Sequence, residues 1–140
     1  MMHKFTVEDE PLPSEIRFLE DGLTAFNAEA TGIGEGRLLT VMARDEAGSP
    51  TGGATGWTWA GICHVRYLYV APEHRRGGLG TRLIETVEGE ALTRGCGQVV
   101  LETIDFQAPD FYRKCGFEVI ATVSDHPPGY RLMIMRKRLG

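Results

Sequence analysis

Residues Arg75-Arg76-Gly77-Gly78-Leu79-Gly80-Thr81 put two guanidinium groups and three glycines into seven positions, a composition suited to holding an anion. Glycine lets a backbone approach a ligand closely, and backbone N–H groups without an internal partner bind phosphate oxygens. The segment before this turn, Tyr67-Leu68-Tyr69-Val70, is aromatic and β-branched, and Pro72 ends it, which predicts a strand. After the turn, Leu79, Leu83, Ile84, Val87, Ala91 and Leu92 fall at helical spacing. The glycines therefore lie where a strand gives way to a helix N-terminus, whose free N–H groups and dipole favour a phosphate or pyrophosphate.

Two familiar phosphate loops fit poorly. A G-x-G-x-x-G dinucleotide turn requires a third small residue where Leu83 stands, and seven residues separate Val70 from Gly78. A Walker loop requires Gly-Lys-Ser/Thr, which the chain lacks. Other residues able to do chemistry are Glu102, Asp105, His64 and His126 as bases and Tyr112 as a hydroxyl donor. Cys63 precedes His64, but neighbours on a strand point to opposite faces, so no thiol–imidazole pair is expected. Cys63, Cys96 and Cys115 are odd in number and form no C-x-x-C, which predicts buried thiols and no metal site.

A second segment gives the turn a context. Asp105-Phe106-Gln107-Ala108-Pro109-Asp110-Phe111-Tyr112-Arg113-Lys114-Cys115-Gly116-Phe117 resembles the Asn-x-x-Ala-x-x-x-Tyr-x-x-x-Gly-Phe signature of the GCN5-related N-acetyltransferase (GNAT) superfamily, with Asp105 in place of asparagine. Leu68-Tyr69-Val70-Ala71-Pro72-Glu73 followed by Arg75-x-x-Gly78-x-Gly80 resembles the same superfamily's acyl-CoA pyrophosphate motif. The resemblance spans roughly residues 50–138. It implies acetyl-CoA as acyl donor, with main-chain groups of Leu68 and Val70 on the pantetheine arm. It also implies Arg75, Arg76, Gly77, Gly78, Leu79, Gly80 and Thr81 around the pyrophosphate, and Asp105 beside the cofactor. Tyr112 takes the place of the superfamily's usual proton donor to the leaving thiolate.

The implied activity is transfer of acetyl from acetyl-CoA to a primary amine, that of a small molecule, directly within a ternary complex; the alternative is a catalytically idle acyl-CoA sensor. An alkyl amine with pKa near 10.4 is only about one part in two thousand neutral at pH 7, a handicap of roughly 4–5 kcal/mol, so a general base is expected. Glu102 is the candidate base, with a relay through water as the alternative, because close relatives often carry an acidic residue where this chain has Arg66. Trp57 and Trp59 alternate on one strand and, with Tyr67 on the next, are candidates to line the acceptor pocket.

The positioning elements follow from pattern. Lys4 to Glu8 reads as a short strand and Ser14 to Ala30 as a helix capped by Ser14 and stopped by Gly32. Strands are expected at 37–44, 52–60, 62–70, 98–103, 117–123 and 131–138, with a short helix around Phe111 and Tyr112. The order predicts an α/β fold: a GNAT-like mixed, mostly antiparallel sheet with a splayed central parallel pair and helices on both faces. A length of 140 residues suits one domain over 1–140. A net charge of −4 argues against general nucleic-acid or anionic-membrane binding. No apolar run nears the roughly 18 residues of a membrane span and no signal-peptide core is present, so a cytoplasmic protein is expected. A homodimer is a further expectation of the resemblance, with Leu132-Met133-Ile134-Met135 either joining a partner's sheet or pairing internally. Arg136-Lys137-Arg138 reads as a solvated strand end.

Overall fold

The computed structural model describes all residues, 1–140. They fall into two compact units, Met1–Glu35 and Gly36–Gly140. In the first, helix α1 spans Pro13–Thr31. Its cap differs from expectation: Leu12 is the N-cap, Pro13 supplies the first helical position, and the Glu15 carboxylate accepts the Leu12 N–H at 3.0 Å. Proline fits there because its missing N–H would be unpaired anyway. Gly32 ends the helix as expected, in the left-handed region at φ 72°. The strand expected at Lys4 to Glu8 does not form; these residues have no regular structure and are exposed. A five-residue alternation is too weak a signal without a neighbouring strand to pair with.

The second unit contains strands β1 (Arg37–Arg44), β2 (Pro50–Trp59), β3 (Ile62–Val70), β4 (Gln98–Ile104), β5 (Glu118–Ser124) and β6 (Arg131–Arg138). They form one sheet in the order β1-β2-β3-β4-β6-β5. Every pairing is antiparallel except β3 with β4. Ala60 and Gly61, both at positive φ, make the two-residue turn between β2 and β3, the geometry that matches strand twist. Because β6 lies between β4 and β5, the apolar run Leu132 to Met135 is paired on both sides and offers no free edge.

Helices α2 (Leu79–Thr93) and α3 (Pro109–Lys114) share one core with the sheet. Leu83, Ile84, Val87 and Ala91 of α2 are buried, as are Leu39, Ala54, Val65, Leu101, Met133 and Met135 of the strands. Each large side chain so buried stabilises the fold by about 1.5–3 kcal/mol relative to exposure, which fixes α2 against β1–β3. Leu92, read as part of the apolar stripe, is instead half exposed. The basic C-terminal run is not merely solvated: Lys137 Nζ lies 2.7 Å from Glu88 of α2, and Arg136 pairs with Glu118 at 3.1 Å.

The central irregularity sits in β3. Thr55 pairs with Tyr67 and Gly56 with Val65, so Arg66 has no counterpart on β2 and forms a bulge. Since side chains alternate along a strand, one extra residue reverses the facing of all that follow. Tyr67 and Tyr69 consequently stand about 60% exposed, while Leu68 packs against the core. Gly56 opposite the bulge is obligatory, because a Cβ there would collide with the His64 carbonyl.

Candidate active site

The parallel β3–β4 ladder is short. Ile62, Cys63, His64 and Val65 pair with Gln98, Val99, Val100 and Leu101, and no pair follows Val65–Leu101. Beyond it the strands part, as the expected splayed pair requires. Two cavities occupy the fork. One, of about 380 Å³, is lined by Leu68, Val70, His74, Arg75, Arg76, Gly78, Leu79, Gly80, Thr81, Ala108 and Phe111. The other, of about 490 Å³, is lined by residues that include Arg66, Tyr67, Tyr69, Glu102, Gln107 and Tyr112. Leu68 and Ala108 belong to both, so the cavities adjoin.

The first cavity is a product of backbone shape. A 3₁₀ turn at Pro72–His74 leads into Arg76 at φ 68° and the N-cap Gly78 at φ 81°. The first N–H to close a bond within α2 is that of Arg82, to the Gly78 carbonyl at 3.1 Å. The N–H groups of Leu79, Gly80 and Thr81 precede it in the helix's first turn, where none has an intrahelical acceptor. Arg75 does more than add charge: its Nε donates to the Val70 carbonyl at 2.8 Å, and its guanidinium lies 5.7 Å from the Tyr69 ring centre. This ties the strand end to the turn. Gly80 is packed so closely on Phe111 that a Cβ would come within 3.1 Å of the ring.

The second cavity is built of side chains. Tyr112 is 7% exposed and meets Phe111 and Phe117 edge-on at 5.1 and 5.8 Å, yet it also lines the cleft. Burial, with a smaller contribution from Cys115, pushes its hydroxyl up to about 12. Glu102 is exposed and lies on this wall. Asp105 lines neither cavity; its Oδ2 accepts from the Arg131 backbone N–H at 2.9 Å and from Arg131 Nε at 3.2 Å. It joins the end of β4 to the start of β6. Gly77, too, lies outside both linings, within the same turn.

Of the other sequence candidates, Cys63 and His64 do face opposite ways. Cys63 is buried, and burial pushes its thiol up to about 11. His64 meets Trp57 edge-on at 4.3 Å, with a buried Nδ1 that has no partner. Trp57 and Tyr67 share a sheet face, but only Tyr67 reaches the cleft. His126 lies in the β5–β6 connection, where its N–H donates to the Tyr130 carbonyl at 3.2 Å. No cluster of three or more His, Cys, Asp or Glu side chains could hold a metal ion. No helix is long and apolar enough to cross a membrane.

The cleft residue that spacing alone underplayed is Tyr69, which lines it beside Tyr67 because of the bulge. Gly56 was the available signal: a glycine interrupts a strand where another backbone comes close.

Comparison with known proteins agrees with this geometry. The family model described as "Acetyltransferase (GNAT) family" matches residues 3–117. Blasticidin-S acetyltransferase of Streptomyces morookaense is 39% identical over 116 residues, covering 78% of this chain and 83% of the relative. Acetyltransferase Atu2258 of Agrobacterium fabrum is 30% identical over 135 residues, 96% of this chain and 98% of its own. Among solved structures, an acetyltransferase from Bacillus cereus superposes with a TM-score of 0.82 at 27% identity, over 96% of this chain and 98% of that one.

Proposed function

The chain belongs to the acetyltransferase (GNAT) family, and from that premise we propose that it transfers acetyl from acetyl-CoA to the primary amine of a small molecule, directly within a ternary complex. The observation that carries this reading is the meeting of two cavities at Leu68 and Ala108, one ending on a helix N-terminus and the other on Glu102 and Tyr112. A small acceptor is favoured by the relative named for blasticidin S.

The first cavity fits the donor. Its floor has the unpaired N–H groups of the α2 first turn, two arginines and no acidic side chain, a set that matches a pyrophosphate. Past Val65 the β4-facing edge of β3 is free of ladder bonds, so the main chain at Leu68 and Val70 is the proposed partner of the pantetheine amides. Acetyl-CoA, when bound, supplies a thioester carbon open to attack by an amine. Glu102 takes the proton that the amine loses as its nitrogen bonds to the acetyl carbon. Tyr112 donates a hydrogen bond to the sulfur as the carbon–sulfur bond breaks.

Magnitude decides how Tyr112 acts. With its hydroxyl near 12 against about 8.5 for a thiol, full proton transfer to the thiolate is uphill by about 5 kcal/mol. Tyr112 therefore stabilises the developing negative charge by hydrogen bonding, and the sulfur takes its proton from solvent. Thiol release from acetyl-CoA over a panel of small amines and peptides, with acetylated product identified by mass, tests the reading. Peptide turnover above that of every small amine overturns the acceptor class, and binding of acetyl-CoA without thiol release leaves a sensor.

A further inference from the structure

We propose that the acceptor carries a carboxylate as well as its amine, and that Arg66 selects it; this rests on the acetyltransferase reading above and names the substrate class for the same cleft. The argument begins at the last rung of the β3–β4 ladder. Val65 and Leu101 are paired, and the next residue on each strand is Arg66 and Glu102 respectively. The two strands separate there, so a cation and an anion stand on opposite lips of the fork, both lining the same cavity. They are the only charged residues among those that line it.

Neither is engaged in an ion pair: the pairs in the protein join other residues. Arg66 is instead held by the ring of Tyr67, with its guanidinium carbon 5.1 Å from the ring centre. A guanidinium resting on an aromatic face keeps its N–H fork available for a planar acceptor, and a carboxylate is the group that fork matches best. Glu102 across the gap suits the opposite end of the ligand, an amine.

A monovalent amine would meet Arg66 as a like charge, and a polyamine would meet it more than once. An amino acid, or a larger molecule ending in an amino-acid unit, satisfies both lips, and its carboxylate helps hold the amine at the junction where the cavities meet. The bulge makes this arrangement possible, since Arg66 is the inserted residue. The volume of about 490 Å³ lies in the usual range for small-ligand sites, roughly 300–1,000 Å³, and leaves room for such a ligand beside the reacting acyl group.

Matched pairs that differ only by the carboxylate test the idea: lysine with cadaverine, histidine with histamine, phenylalanine with phenethylamine, β-alanine with ethylamine. The wild type should favour the carboxylated member of at least one pair by about tenfold or more in kcat/KM, expressed in KM. Arg66→Ala should cut that preference to within about threefold, and Arg66→Lys, which keeps the charge but not the fork, should restore part of it. Equal or better use of the decarboxylated members by the wild type overturns the proposal while leaving the acetyltransferase reading intact. So does an Arg66→Ala effect that falls equally on both members, or that appears in the KM for acetyl-CoA. Absence of thiol release with every amine overturns both.

Discussion

The two halves of the fork are made in different ways. The side proposed for the donor is a backbone object: a turn with residues at positive φ, then helix N–H groups whose direction is set by α2 packing on the sheet. The side proposed for the acceptor consists of side chains whose direction is set by a single inserted residue in β3. The first kind of site tolerates many side chains but few backbone changes; the second tolerates neither a register slip nor a change of charge. That contrast explains why one half was legible from composition and the other was not, and it orders the expected effects of mutation.

The largest effect is expected at Gly56, which lines neither cavity but stands opposite the bulge and pairs with Val65 on the wall of the second. A methyl group there would run into the His64 carbonyl and the Val65 backbone, which are fixed by pairing on both sides. Gly56→Ala should destabilise the fold by about 3 kcal/mol or more and abolish turnover, because relief requires β2 and β3 to lose register. A thermal melt checks this: a midpoint within a degree of wild type, with turnover retained, would show that the bulge does not depend on Gly56.

Next is the donor turn. Gly78 caps α2 at φ 81°, a region costing roughly 1–2 kcal/mol for a side-chain-bearing residue and more for a β-branched one. Gly78→Val should keep a single cooperative melt, lowered by several degrees, and lower acetyl-CoA affinity by at least about tenfold in calorimetry, since relaxing the strain re-aims the N–H groups. Gly80→Val tests the same turn through packing, because its side chain would press on Phe111. Unchanged affinity in both variants would remove the pyrophosphate from this turn.

How much of this the sequence disclosed follows from the same contrast. Strand, glycine turn and helix are local patterns, and their spacing places the donor side without any tertiary information. The six strands between Arg37 and Arg138 likewise follow from periodicity and turn residues, whereas the short helix α3 with Tyr112 is legible through the resemblance. The fork was legible only through resemblance, because the end of pairing at Val65–Leu101 is a relation between strands distant in the chain. Arg66 could be flagged as an unusual residue but not placed, since strict alternation from Val65 onward would have sent Tyr67 and Tyr69 into the core. Lys4 to Glu8 misleads for the opposite reason: its local pattern is strand-like, but a strand also needs a neighbour to pair with, and none pairs with it.

Tyr112→Phe is expected to be milder than the glycine changes. The ring contacts with Phe111 and Phe117 survive, and only the hydroxyl is lost. Turnover should fall by at least about tenfold with little change in acetyl-CoA affinity, the pattern of an interaction made in the transition state alone. The pH dependence has a definite sign. Burial raises this hydroxyl from 10.0 to about 12, so the protonated form is the one the fold favours. Its stabilisation is complete below pH 10 and is lost as pH climbs from 10 towards 12. The turnover profile should thus show no alkaline limb from Tyr112 below about pH 11, and a limb centred near pH 10 that disappears in Tyr112→Phe would show a hydroxyl far less buried.

The smallest effect is expected at Asp105, which the signature placed beside the cofactor and the fold places on Arg131. Its carboxylate accepts from a backbone N–H at 2.9 Å and from a guanidinium that is 61% exposed. An exposed ion pair of this kind contributes about 0–1 kcal/mol, and an asparagine side chain still offers an oxygen to the Arg131 N–H. Asp105→Asn should therefore shift the melt only slightly and change acetyl-CoA affinity by less than about twofold. Arg131→Ala should reproduce the small stability loss, because both variants weaken the same bridge between β4 and β6. A large loss of acetyl-CoA affinity in Asp105→Asn, unmatched in Arg131→Ala, would return Asp105 to the donor side and extend that side beyond the turn and the strand end that now define it.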